Sequence, residues 1–311
     1  MTNTEETNAA IAAKWNEQTK KYLAADTELR TRWWRHPYVL RQVNERICGK
    51  RLPGWGGGMH ELVKERYGEL LPFGRGISVG GGVGGKEMDV LRAGIVEHIT
   101  IYELSSVRID TGRDLAKKSG LEDRITFIEG DAFALEQQPG AFDMVHWDNS
   151  LHHMFDVPEA VEWSSRMLRP GGLFYMYDFV GPSRFQWTQP MLDLATSVRR
   201  ALPEEYLRDP NNPERVLGRN FVRPPSIESM IEKDPSEAAD SERILDSVRH
   251  TFPDADIRLT GGVVYSMAFN DIIHHMKWDP LDPIIALGML LDFEAADNGL
   301  THYATAVSLK S

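Results

Sequence analysis

The 311-residue sequence holds a single cysteine, Cys48, which excludes an intrachain disulfide and any zinc site built from several thiolates. Positive charge is also scarce. Against 46 Asp and Glu stand 35 Lys and Arg, for a formal net charge of −11. That balance disfavours duplex nucleic acid and anionic membrane surfaces as partners. The longest apolar run, Ile284 to Leu291, is far too short to span a bilayer. The opening MTNTEETNAA has neither the basic nor the apolar part of a signal peptide. No internal repeat is visible. What is present is 41% hydrophobic residues, enough for a sizeable core. A soluble, cytoplasmic protein is expected, with no nucleic-acid or membrane partner; a homo-oligomer stays open.

The stretch GISVGGGVGGKEMDVL, Gly76 to Leu91, is the densest signal. An apolar strand, Ile77 to Val79, runs into five glycines within six positions, and helical spacing resumes at Lys86. Strand, glycine turn and helix start suit a nucleotide-type cofactor. Glycine lets the backbone approach a ligand, and the helix N-terminus offers free N–H groups. Gly80, Gly82 and Gly85 satisfy G-x-G-x-x-G, and Glu103 closes the next strand, placed to accept from two ribose hydroxyls. At this point a nicotinamide dinucleotide fits as well as any other nucleotide-type cofactor.

Along the chain, residues 1–72 carry helical spacing. A helix is expected over 9–25, another opened by Pro37, and a third over 59–70. From residue 75, strands at 76–79, 99–104, 125–131, 142–147 and 173–180 alternate with helices, which predicts a parallel α/β sheet covered on both faces. Gly181-Pro182 breaks the pattern, and 182–234 is too long for a plain connection. A helix over 234–252, a strand over 256–260, helices over 263–276 and 281–293 (the latter interrupted by Pro283) and a final strand complete the chain. The expected organisation is a helical N-terminal cap or lid (1–72), a Rossmann-like core (73–181 and 235–311) and a substrate-cap insertion (182–234).

Three further features bear on the cofactor: Gly130-Asp131-Ala132 after the third strand, DNSLHHM after the fourth, and MLRPGGLFYM into the fifth. This ordered set resembles the class I S-adenosylmethionine-dependent methyltransferases, in particular the small-molecule subgroup with LHH and L-K/R-PGG motifs. The resemblance covers roughly residues 75–180. It implies a seven-stranded sheet with an antiparallel last strand and S-adenosylmethionine as cofactor. Gly80, Gly82 and Gly84 would lie under its methionine part, and Glu103 would hold the ribose. Asp131 and Ala132 would read the adenine between Leu104 and Phe133, and Asn149 and Ser150 would pass the sulfonium. One position departs from the pattern: Ser78 stands where the family usually has Asp or Glu, and Glu87 or Asp148 could substitute.

Methyl transfer needs an aligned acceptor and, for a hydroxyl, a base. The candidates are His153, His152, Asp148 and Asp178, with His153 preferred and an aspartate in support. No compact ligand cluster appears in the sequence, so no metal is assigned. Trp33, Trp34, Arg184, Phe185, Trp187 and Tyr206 are candidate contacts for a small-molecule substrate, since aromatics with interspersed Arg suit planar, glycosyl or anionic groups. A hydroxyl acceptor in secondary-metabolite or saccharide biosynthesis is the leading expectation. N- or C-methylation, a non-catalytic binding or scaffold protein of the same fold, and a disfavoured NAD-dependent oxidoreductase are the alternatives.

Overall fold

The computed structural model describes residues 4–24, 32–133, 139–209, 212–221 and 223–311. Five apolar runs become β1 (Phe73–Val79), β2 (Val96–Glu103), β3 (Ile125–Glu129), β4 (Phe142–Asp148) and β5 (Leu168–Phe179). They lie parallel, as strands separated by crossover helices do. Ile77 sits opposite Thr100 of β2 and Val145 of β4. A two-stranded ribbon, β6 (Arg208–Asp209) and β7 (Asn212–Val216), stands apart. Then β8 (Asp256–Gly261) and β9 (Tyr303–Leu309) complete a seven-stranded sheet in the order β3-β2-β1-β4-β5-β9-β8. β9 runs antiparallel to both of its neighbours. The expected Rossmann-like sheet with an antiparallel last strand is the observed one.

The helices are α1 (Thr4–Ala24), α2 (Pro37–Cys48), α3 (Gly57–Tyr67), α4 (Gly85–Arg92), α5 (Ser106–Lys118), α6 (Val157–Met167), α7 (Gln189–Ala201), α8 (Ile227–Lys233), α9 (Ile244–Thr251) and α10 (Pro283–Asp297). Side chains alternate across a strand, so each face of the sheet needs its own cover. Ile77 and Val79 pack in one cluster with Val161 of α6 and Val248 of α9. The other face packs with α2, α3, α4, α5, α7 and α10, through residues such as Val43, Leu62, Leu91 and Met289. Among the described residues no helix is long and apolar enough to cross a membrane.

Four expectations change. β5 begins at Leu168, paired with Phe142, because a register shift between Phe142 and Met144 absorbs the Pro-Gly-Gly turn. Residues 234–240 do not start a helix. Asp234 Oδ1 instead accepts from the Ser236 amide (2.9 Å) and hydroxyl (2.7 Å), a local turn that competes with helix, and α9 begins only at Ile244. Residues 263–268 form a π-helix, opened by the Asp292 carboxylate, which accepts from the amides of Gly262, Val264 and Tyr265. Pro283 starts α10 rather than interrupting it, behind the Asp282 cap. Within the insertion, α7 buries Met191, Leu192 and Ala195 in the core.

Candidate functional site

A cavity of about 850 Å³ opens at the carboxyl ends of β1 to β4. Nine of the ten residues expected to hold the cofactor line it; only Gly84 lies behind the turn. The glycine turn is tight for stated reasons. Gly84 has φ +74°, and a Cβ there would meet Phe127 at 2.8 Å. A Cβ on Gly81 would come within 2.7 Å of a Glu87 carboxylate oxygen. Glu103, 4% exposed, accepts from the amides of Gly82 (2.9 Å) and Ser105 (2.8 Å), which fixes its carboxylate at the end of β2. Asp131 accepts from the Phe133 amide (2.9 Å) and from Asn8 Nδ2 (3.0 Å). Ser150 Oγ is buried in this wall with no protein partner. Two fixed carboxylates, a backbone-lined turn and an unpartnered hydroxyl in an apolar slot fit a cofactor with a ribose, a base and a polar tail.

The departure at Ser78 has a local answer. Ser78 faces α4, and its hydroxyl donates to Glu87 Oε1 at 2.8 Å. His146 Nδ1 lies 3.2 Å from Ser78 Oγ and 3.4 Å from the same carboxylate oxygen. Burial pushes the Glu87 carboxyl up, but hydrogen bonds from His146 and Ser78 outweigh it and hold the group below its ordinary value. A carboxylate therefore does sit beneath the turn, delivered from the helix instead of the strand.

The four base candidates occupy distinct places. Asp148 lines the cavity, but Trp55 Nε1 (3.0 and 3.1 Å), Lys86 Nζ (2.9 Å) and Asn149 Nδ2 (2.9 Å) already occupy its carboxylate. Asp178 lies beneath the cavity, fully buried, accepting from the amides of Ser150, Leu151, His152 and Phe179 and bonded to His152 Nδ1 at 2.5 Å. It shapes the loop after β4 and does not line the cavity. Burial opposes charge on His152, yet the Asp178 carboxylate prevails and raises that imidazole above its ordinary value. His153 lines the cavity itself, edge-on to Trp15 at 5.5 Å. Burial, then the positive fields of His152 and Arg108, hold it well below its ordinary value, so it is neutral near pH 7. Its tautomer follows from its partner. Ser236 gives its one hydroxyl proton to Asp234 (2.7 Å), so it accepts from His153 Nδ1–H at 3.0 Å. Nε2 is left with the free lone pair.

None of the six substrate candidates lines the cavity. Trp33 is buried in the core against Tyr265 and Tyr303, and Trp34 is exposed beside it. Arg184 donates to the Glu237 carbonyl, Phe185 packs edge-on against Phe179 and stacks on Trp187, and Tyr206 donates to Asp282. These residues anchor the insertion to the body. The roof comes instead from α1. Asn8 bonds Asp131, Asn16 accepts from Ser105 Oγ at 2.7 Å, and Trp15 lies 3.7 Å beneath the Arg108 guanidinium. Asn8, Trp15, Arg108 and Ser236 were not singled out from sequence. Arg108 alone carried a signal, a cation in the first turn of a helix where the macrodipole disfavours it.

Residues 77–176 match the family model described as "Methyltransferase domain". Among curated relatives, 27-O-demethylrifamycin SV methyltransferase of Amycolatopsis mediterranei is 31% identical over 121 residues, 38% of this chain and 44% of that protein. The chain spans about half the length of the curated relatives it matches. Two solved structures share the fold over nearly the whole chain. The [4+2]-cyclase SpnF is 18% identical with a TM-score of 0.52, covering 98% of this chain and 97% of that one. The geranyl diphosphate C-methyltransferase of Streptomyces coelicolor A3(2), in complex with Mg2+, geranyl diphosphate and S-adenosyl-L-homocysteine, is 12% identical with a TM-score of 0.53, covering 98% of each chain.

Proposed function

We propose that this chain, whose residues 77–176 form a methyltransferase domain of the class I S-adenosylmethionine-dependent type, methylates a hydroxyl of a small molecule. The observation that carries the hydroxyl is His153: a neutral imidazole in the cavity wall with Nδ1 engaged and Nε2 free to accept a proton. S-adenosylmethionine supplies a methyl group already activated on a sulfonium. Glu103 would hold its ribose and Asp131 its adenine edge, with Leu104 and Phe133 as apolar walls. Glu87, with Ser78, provides negative charge beneath the turn for the methionine amine. The chain's own task is then to align the acceptor, exclude water under α1 and take one proton at His153 Nε2. Asp178 and Ser236 hold the two histidines in place. The acceptor class suits secondary-metabolite or saccharide biosynthesis.

Calorimetry with S-adenosylmethionine and S-adenosylhomocysteine tests the cofactor, with micromolar binding at one site per chain expected. A screen with labelled methyl tests the acceptor. Products methylated at oxygen support the reading, and turnover confined to carbon or nitrogen acceptors refutes the hydroxyl. Binding without turnover on any class would favour a scaffold.

A further inference from the structure

We propose that His152, His153 and Glu237 form a binding site for one borderline transition-metal dication of the Zn2+ type. A ring nitrogen of each histidine and a carboxylate oxygen of Glu237 lie within 4.8 Å of one another. His152 Nε2 is 3.6 Å from Glu237 Oε1. The two imidazoles stand side by side, with ring centroids 4.2 Å apart. Donors bound to one tetrahedral ion at ~2.0–2.1 Å lie about 3.4 Å from each other, so closing the set asks a side-chain shift of at most ~1.5 Å.

The support around the ligands is already in place. A metal-ligating histidine commonly engages its other ring nitrogen with a carboxylate or another polar group, which fixes its orientation. His152 Nδ1 is held by Asp178, itself fixed by four backbone amides. His153 Nδ1 is held by Ser236, with Asp234 behind it. Nε2 is therefore the nitrogen left open on each ring, and on His152 it is the one nearest Glu237. Two imidazoles and one carboxylate select Zn2+, Co2+ or Ni2+ over Mg2+ and Ca2+, which want oxygen alone. The Glu237 side chain is 30% exposed, and His153 lines the cavity, so an ion can enter. The ligands come from segments some eighty residues apart, and no sequence spacing could display them together.

One consequence rests on the methyl-transfer reading. A metal on His153 takes the lone pair used as base, so the loaded protein should not deprotonate a hydroxyl. The site itself does not depend on that reading.

The test titrates Co2+ into tag-free full-length protein and follows d–d absorption and heat, with neither cofactor nor acceptor present. One equivalent should bind, Zn2+ should displace it, and Mg2+ should give no response. Glu237→Gln and Glu237→Ala should weaken Co2+ at least ~10-fold with unchanged thermal melts. His275→Gln, at the chain's other adjacent histidine pair, should leave affinity unchanged. No stoichiometric binding, unaltered affinity in both Glu237 variants, or a loss in His275→Gln would each overturn the site. In the transfer assay, Zn2+ should suppress wild type at concentrations that spare Glu237→Gln. Co2+ binding by a protein that transfers no methyl would defeat the function and leave the metal site standing.

Discussion

At the β1–β3 end of the cavity, polar groups arrive as backbone amides and as carboxylates at consecutive strand ends. Gly82, Ser105 and Phe133 amides pin Glu103 and Asp131, each within a few residues or one crossover of its partner. At the β4–β5 end the network is made of side chains from remote segments: His153 with Ser236, His152 with Asp178, Trp55 with Asp148. On the proposed reading the first end would recognise a ligand that is the same in every turnover, and local geometry can preform it. The second would suit one acceptor and one proton, and its parts are set individually by tertiary packing.

The largest expected effect breaks the second end alone. His153→Gln should lower turnover by ~10²–10⁴, the usual worth of a general base, while calorimetric affinity for S-adenosylmethionine stays within a few-fold. Equal turnover would remove His153 from the chemistry. Next comes the first end: Glu103→Ala should weaken S-adenosylmethionine about ten-fold or more, because buried ribose hydroxyls lose their acceptor. Glu87→Gln sharpens the boundary between the two. It removes charge beneath the turn without touching Glu103, and a loss of about three- to ten-fold in cofactor affinity is expected, on the scale of ~1 kcal/mol. No change would mean that Ser78 marks a binding contact given up, not relocated.

The smallest effect on turnover lies outside both ends, where stability alone should respond. His302, 2% exposed between Phe179 and Gly262, is drawn down to about 4 by burial, against a backbone hydrogen bond at Gly262 that favours the charged form. Unfolded chains protonate histidine near 6.5 while the folded one resists until about 4, so stability falls as pH drops across that window. The contribution is at most about 3 kcal/mol. Thermal melts from pH 7.5 to 4.5 should decline more steeply for wild type than for His302→Phe.

The sheet and the cofactor end were legible because their signals are local. Period-two runs, a glycine turn, and acids placed one strand end apart all sit in short windows of sequence. Glu103 and Asp131 could be placed at strand ends from such windows, and the family resemblance pointed to Ser150. Ser236 could not be placed in either way. DPSE reads equally as a helix cap, and only the bonds that Ser236 donates back to Asp234 show why it is a turn. The substrate candidates lie off the cavity for a related reason: aromatic and Arg residues serve packing as readily as recognition, and Trp33 and Phe185 pack against the body. Gly261, Gly262 and Asp292 together make a π-helix that no period in the sequence announces.

α1 spans both ends of the cavity, and its attachment is slight. Among its described side chains only Ile11 and Thr19 are buried, and it is also held by a few hydrogen bonds, the Trp15–Arg108 stack and the Trp15–His153 contact. At about 0.5–1.5 kcal/mol net for each hydrogen bond, lifting α1 costs far less than unfolding the sheet. Were spent cofactor to leave only as α1 swings away, steady-state turnover would slow with solvent viscosity while a single enclosed transfer would not.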